Sequence, residues 1–152
     1  MRKIFLPWLV VFVLIGLAAS LKAANSSEIT VEKAWARASI GTLRPAAVYF
    51  TVTNGSNARV SLDRVTTPVA SKAVIHATIK DGAIVRMRPV GKFDVLAGES
   101  LVLKPGGMHL MLMNLKLPLI RGGTFPLILH FNGGRSITVT VPIMDIGAKG
   151  LK

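Results

Sequence analysis

The sequence predicts an all-β fold, a sandwich of roughly seven to nine strands. After residue 24, no stretch shows a sustained helical period. Short runs rich in β-branched and aromatic residues are separated by turn signals such as Asn54-Gly55 and Gly133-Gly134. These signals recur at intervals of roughly eight to twelve residues, which is typical of a β-sandwich.

Residues 1–24 have the layout of a secretory signal peptide. Arg2 and Lys3 precede an apolar run, which is followed by small residues that offer cleavage after Ser20, Ala23 or Ala24. An uncleaved membrane anchor is the less favoured alternative, because the apolar core is short for a bilayer span. We therefore expect export to the periplasm and one mature domain over residues 25–152.

The remaining chain divides into strand candidates in order. The predicted strands are 29–38, 46–53, 60–65, the two arms of a hairpin centred on Asp81-Gly82, 93–96, 100–104, 109–113, 125–131 and 136–141. Within the first of them, Val31, Ala34 and Trp35 are the expected inward residues. Pro105-Gly106-Gly107 is the expected turn before the strand that starts at His109.

Composition excludes several functional classes. The formal net charge is +12, but basic residues are scattered singly and without the aromatic interleaving of nucleic-acid binders. Attraction to anionic membrane surfaces or to an acidic partner suits this charge better, and a solvated surface without a partner remains open. The absence of cysteine excludes a disulfide framework and a blue-copper site. No hydrolase motif or paired acids are present, so we do not expect an enzyme. We also expect a monomer.

The hairpin signal Asp81-Gly82 brings a histidine and a methionine together. A type I′ loop made of these two residues needs positive φ at both positions. The resulting pairs are His76–Met87, Thr78–Val85 and Lys80–Ala83. Because opposed residues hold their Cβ atoms roughly 4.5–5.5 Å apart, we expect an imidazole and a thioether on one face.

The later strand M-H-L-M-L-M supplies a second pair. Strand side chains alternate, so His109 and Met111 project from one face, together with Met113. If this strand meets the hairpin, then His76, Met87, His109 and Met111 form a set of two nitrogens and two sulfurs. Such ligands select a soft ion, and Cu(I) fits best, because zinc prefers thiolates or carboxylates beside its histidines.

A metal-free interpretation stays open beside the copper hypothesis. Strand methionines usually fill cores, and the chain would then be a secreted β-sandwich that binds protein or envelope surfaces. The two hypotheses differ in a geometric expectation. A metal site needs His109 and Met111 near the surface and close to His76 and Met87, whereas core packing buries the methionines away from both imidazoles.

The order His76, Met87, His109, Met111 resembles the H-x10-M-x21-H-x-M signature of the PCu(A)C family of periplasmic copper chaperones. Further landmarks of the resemblance are Trp35-Ala-Arg, Ala46-Ala-Val-Tyr-Phe, Met87-Arg-Pro-Val and Lys104-Pro-Gly-Gly-x-His-x-Met-Leu-Met. The resemblance implies a cupredoxin-like, and hence immunoglobulin-like, β-sandwich that binds one Cu(I). It also implies a copper-accepting partner, either the copper centre of cytochrome c oxidase or an assembly chaperone that serves it. Sequestration of copper for tolerance, without delivery, would use an identical site.

The chain departs from the family pattern at one position and lacks an extension that some relatives carry. Many members have a methionine two positions after the first histidine, where this chain has Thr78, so the affinity and the transfer geometry are expected to differ. The C-terminal tail lacks the His/Met-rich extension of some relatives, which predicts a single site. We interpret His130 as a structural or surface residue and Met113 as a packing residue.

Overall fold

The computed structural model describes residues 29–151, so the predicted signal peptide lies outside the described residues. The ten strands of this part are β1 (Ile29–Arg37), β2 (Ala46–Asn54), β3 (Val60–Thr66), β4 (Ala70–Asp81), β5 (Ile84–Val90), β6 (Phe93–Val95), β7 (Ser100–Val102), β8 (His109–Leu115), β9 (Thr124–Phe131) and β10 (Ser136–Met144). One 3-10 turn, Asn132–Gly134, joins the last two strands. No helix among the described residues is long and apolar enough to cross a membrane.

The strands pair in the order β5-β4-β8-β2-β1-β10-β9-β3-β6, with β7 attached to β2. One layer consists of β5, β4, β8, β2 and β1. The other layer consists of β10, β9, β3 and β6. Every pairing is antiparallel except that of β1 with β10, where Ala36 lies beside Ile143 and joins the two layers. The predicted all-β sandwich is confirmed, with ten strands in the described chain where roughly seven to nine were expected.

The core lies between the layers, because each central strand turns alternate residues inward. On β8, Leu110 and Leu112 are fully buried, and they face Leu127 and Leu129 of the other layer as members of one apolar cluster. His109 and Met111 alternate with these leucines and therefore point to the outer face of the first layer. Core packing on one face thus fixes which side chains the other face presents.

The first strand departs from the predicted alternation at a bulge. The pairing of β1 with β2 shifts between Glu32 and Trp35, where Lys33 has a φ of 54°. Val31 and Ala34 pack against the core as expected, but Trp35 does not belong to the core cluster. It is buried on the outer face against Tyr49 instead, so its predicted inward position was wrong.

Asn54 ends β2 as a fully buried polar residue. Its side-chain amide donates to the carbonyl oxygens of Ala58, Val95 and Leu96, and its Oδ1 accepts hydrogen bonds from the backbone and hydroxyl of Ser56. Because every polar atom is paired, burial is not penalised, and the predicted turn at Asn54-Gly55 is fixed to the neighbouring β6.

The central hairpin has a different register from the predicted one. Asp81 pairs with Ile84, so the loop is Gly82-Ala83, and His76 pairs with Pro89 where Met87 was expected. The reason is that only Gly82, with φ of 59°, adopts positive φ in this loop, as in turns whose glycine comes first. The displacement is two positions, an even number, so Met87 stays on the same face as His76.

Candidate metal site

The candidate site centres on a pair of histidines from adjacent strands. The register of β4 with β8 sets His76 directly opposite His109. Their rings are stacked, with centroids 6.0 Å apart and an interplanar angle of 19°. The sequence placed each histidine on a strand without showing that the strands meet, and the pairing of β4 with β8 supplies this contact.

The two predicted methionines flank the histidine pair on the same outer face. Met111 follows His109 by two residues and pairs with Val74 on one side of the histidines. Met87 pairs with Thr78 on the other side along the strands. Met87 is thus a diagonal neighbour of His76, within reach for a long side chain but farther than the predicted direct pair.

Both imidazoles are held in the same tautomer. The Nδ1 atom of His76 lies 3.2 Å from the carbonyl oxygen of Val74, and that of His109 lies 3.1 Å from the carbonyl oxygen of Gly107. Because a carbonyl oxygen only accepts, each Nδ1 carries the proton and donates. In the neutral ring each Nε2 then keeps its lone pair, and neither Nε2 has a hydrogen-bond partner among residues 29–151. This arrangement is the one that metal-binding histidines use.

Exposure rises across the site from β8 to β5. His109 is only 7% exposed, because β8 is an inner strand between β4 and β2. His76 and Met111 are half-buried, and Met87 is 58% exposed. His109 lies deeper than the sequence analysis expected, while neither methionine is buried away from the imidazoles as core packing would require.

Thr78 takes part in the site in a way that the sequence analysis missed. Its Oγ1 donates to the carbonyl oxygen of Gly107 at 2.9 Å, and this oxygen also accepts from Nδ1 of His109. Thr78 therefore steadies the carbonyl that orients the His109 ring. The alternation of β4 already placed Thr78 on the His76 face, but its contact with Gly107 depends on the pairing of distant strands.

An aromatic stack on β2 and β1 adjoins the site on the side of His109. Val48 pairs with Leu110 in the core, so Tyr49 emerges on the face of His109. Trp35 lies against Tyr49 with ring centroids 4.5 Å apart, and the guanidinium of Arg37 lies 5.7 Å from the Tyr49 ring centroid. Burial raises the pKa of Tyr49 above its ordinary value of 10.0, and the positive charge of Arg37 opposes this.

The charges near the site are positive. Lys72 and Lys80 lie on the same face, opposite Met113 and Val85, and both are exposed. Among residues 29–151, no group of three or more His, Cys, Asp or Glu side chains is placed to hold a metal ion. The four candidate donors, two imidazoles and two thioethers, carry no negative charge, so they do not offset the charge of a bound cation.

The remaining histidine and methionine candidates lie apart from the four. His130 on β9 has both ring nitrogens within hydrogen-bond distance of hydroxyls, Thr66 Oγ1 at 2.8 Å and Ser136 Oγ at 3.0 Å. This agrees with its interpretation as a structural residue. Met113 shares the face of Met111 but pairs with Lys72, one step farther from the histidines.

Comparisons with known proteins identify relatives of this chain. The model of a family described as "Putative lipoprotein LpqE-like" matches residues 29–143. A putative lipoprotein of Leifsonia xyli is 32% identical over 129 residues, which cover 84% of this chain and 76% of that protein. An uncharacterized protein of Rickettsia prowazekii is 30% identical, over 73% of this chain and 64% of that protein.

Solved structures share the fold. The apo PCuAC domain of PmoF2 superposes with a TM-score of 0.69 at 19% identity, covering 81% of this chain and 94% of that one. The Cu(I) form of DR1885 from Deinococcus radiodurans gives a TM-score of 0.67 at 31% identity, covering 84% and 86% of the two chains. The fold is therefore the cupredoxin-like sandwich of PCuAC domains, as the sequence resemblance implied.

Proposed function

This chain belongs to the LpqE-like family, and from that premise we propose that it is an exported copper(I) chaperone. One observation carries the proposal. Two imidazoles with free Nε2 atoms and two thioethers occupy one outer sheet face, with His76 directly opposite His109. The proposed ligands are His76, Met87, His109 and Met111, and they bind one ion.

The chemistry of the donors favours Cu(I) over other available ions. Thioether and imidazole are soft and borderline ligands, whereas zinc sites recruit thiolates or carboxylates. Four neutral ligands leave the full charge of the ion uncompensated, and the neighbouring Lys72 and Lys80 add to it, which disfavours a divalent ion further. The Cu(I)-bound state of the Deinococcus relative, at 31% identity, supports this choice.

The graded exposure suits a carrier that must release its ion. Met87 is accessible to a partner, and its thioether can detach while the histidines still hold copper. Successive exchange of ligands then passes the ion without leaving it free in solution. His109, which is buried and oriented by Gly107, is the last ligand to let go.

The family resemblance supports a proposal for the place of action and for the partner. We propose the periplasm, a monomeric carrier without catalytic activity, and delivery to the copper centre of cytochrome c oxidase or to an assembly chaperone that serves it. Sequestration would use the same residues, so delivery to an oxidase fragment containing its copper ligands is the measurement that separates the two.

A Cu(I) competition titration against a chromogenic chelator tests the site. We expect the exported protein to bind one equivalent tightly and the variant His109→Ala/Met111→Leu to lose it, while the control His130→Ala/Met144→Leu binds normally. Because an imidazole must be neutral to coordinate, affinity should fall on acidification. Absence of binding by the unaltered protein would return it to the metal-free alternative, and equal affinity at neutral and mildly acid pH would exclude histidine ligation.

A further inference from the structure

We propose that the free edge of β5 is the docking site of the copper-accepting protein, which adds an acidic extended segment there as an additional strand. This inference rests on the proposed chaperone function only for the identity of the partner. Its test uses the metal-free protein, so docking and copper binding can fail independently.

The position of β5 provides the first observation. It is the terminal strand of the first layer and pairs, within the described residues, with β4 alone. Every residue from 79 to 89 is exposed, including Val85 at 57% and Met87 at 58%. An exposed edge of this kind is the usual template for strand addition by another chain.

Pro89 shows which backbone groups point outward. Proline has no N–H, so within an antiparallel ladder it occupies positions whose N–H would face away from the neighbouring strand. Pro89 pairs with His76, and backbone direction alternates along a strand. The N–H and C=O groups of Val85 and Met87 therefore also face away from β4 and are the groups that an added strand would bond.

The charges of the hairpin select the occupant. Arg86 and Arg88 are exposed and lie opposite Ile79 and Ala77, on the face away from Met87. Neither arginine takes part in the three ion pairs found in the described chain, which involve Arg59, Lys92 and Arg121. An added strand that places acidic residues at alternate positions would set a carboxylate beside each arginine.

A second copy of this chain is a poor occupant of the same edge. Pairing β5 with itself would bring the arginines of two copies onto neighbouring strands, where like charges are destabilising. The mature chain, whose formal net charge is +9 once Arg2, Lys3 and Lys22 are removed with residues 1–24, would add to the repulsion. An acidic partner would instead be attracted both by the arginines of β5 and by the net positive charge of the chain.

Docking at this edge would couple recognition to copper transfer. Met87, a proposed ligand, lies on the docking strand with its side chain on the face of His76. The intervening residues of an added strand, which alternate with its acidic ones, would project beside the Met87 thioether. A ligand residue of the partner at such a position could replace Met87 in the first exchange step.

The test is the binding of a defined peptide to the ¹⁵N-labelled apo protein. The probe is a blocked seven-residue peptide in which glutamate alternates with valine, and the comparison peptide has lysine in place of glutamate. We expect binding of the glutamate peptide only, with hydrogen exchange of the Val85 and Met87 amides slowed at least tenfold. Equal binding of the lysine peptide, or binding without slowed exchange at these two amides, would overturn the proposal.

Variants of the protein separate the edge from general charge. Arg86→Glu/Arg88→Glu should weaken peptide binding at least tenfold, while the control Arg44→Glu/Lys116→Glu, which makes the same change in net charge at exposed positions, should weaken it much less. Val85→Pro removes one outward N–H and spares the ladder with β4, and it should abolish slowed exchange at Met87. Both edge variants should keep the Cu(I) affinity of the unaltered protein.

Three further results would contradict the proposal. Equal weakening by the two charge-reversed variants would assign the arginines to nonspecific attraction. Slowed exchange of the Val85 and Met87 amides without peptide, growing with protein concentration, would show self-pairing of β5. If Arg86→Glu/Arg88→Glu leaves peptide binding intact but causes aggregation, the arginines protect the edge and do not recruit a partner.

Discussion

The two sides of the candidate site stand on strands of different kinds. β8 is held on both sides, by β4 and β2, and its His109 is 7% exposed. β5 is held on one side only, and its Met87 is 58% exposed. For the proposed copper site, the contrast implies that the inner strand would hold its ligand, His109, in position and that the edge strand would present a ligand, Met87, that can leave.

The largest effect is expected from His109→Ala. Loss of partners that merely orient metal ligands lowers metal affinity roughly 10- to 100-fold, so removing the anchored ligand itself should lower Cu(I) affinity by at least about 100-fold. The chelator competition measures this. His130→Ala is the matched control, and a similar loss in that variant would mean that His109 acts through the fold.

Replacing either methionine should have a smaller effect than His109→Ala, and the two replacements should affect different properties of Cu(I) binding. Leucine keeps the volume of methionine but has no sulfur, so Met87→Leu and Met111→Leu isolate the two thioethers. We expect Met87→Leu to speed Cu(I) transfer to a chelator roughly tenfold while the free energy of unfolding changes by less than about 0.5 kcal/mol, as at exposed sites. Met111→Leu should lower the equilibrium affinity more. Faster transfer in Met111→Leu than in Met87→Leu would contradict the assignment of Met87 as the leaving ligand.

Substitution of Thr78 on β4 should have a smaller effect on Cu(I) affinity than removal of a proposed ligand. Thr78→Val removes the hydrogen bond to Gly107, and one hydrogen bond is worth about 1 kcal/mol. We therefore expect roughly fivefold weaker Cu(I) binding, together with altered ring ¹⁵N shifts of His109 in the apo protein. Thr78→Ser keeps the hydroxyl and should behave as the unaltered protein. Unchanged His109 shifts in Thr78→Val would show that Gly107 orients the ring without help.

Tyr49, which lies on β2 beside His109, should make a small contribution to the stability of the fold that depends on pH. Its pKa is raised in the folded state, above the ordinary 10.0, mainly by burial. The unfolded chain therefore loses the phenolic proton first, so the stability is full below pH 10 and falls as the pH rises through the raised pKa. Denaturation curves should show this alkaline loss diminished in Tyr49→Phe.

The phenolate absorbance of Tyr49 gives a direct check, because it is the sole tyrosine of the sequence. Its titration in the folded protein should lie above that of the unfolded chain. If the folded and the unfolded protein titrate at the same pH, Tyr49 is hydrated in solution. The site beside β2 would then be more accessible to water than the burial of Tyr49 indicates.

Local sequence patterns predicted the strands well. Alternation and turn residues located all ten segments, and alternation also set His109 and Met111 on one face. These features depend on neighbours in the chain, which periodicity reports directly.

The features that sequence missed depend on single backbone angles or on distant strands. The positive φ of Gly82 displaced the hairpin register, and that of Lys33 moved Trp35 to the outer face. The meeting of β4 with β8, and with it the contact of Thr78 with Gly107, joins segments that no local pattern connects.

The parallel pairing of β1 with β10 also constrains when the fold can form. Arg37 at the end of β1 donates to the carbonyl oxygen of Ala148, 111 residues away, so the first strand has no complete set of neighbours until the last has been made. Folds built on such distant contacts form slowly. In the proposed export, which would move the N-terminus across the membrane first, the chain would therefore stay unfolded until nearly all of it has crossed.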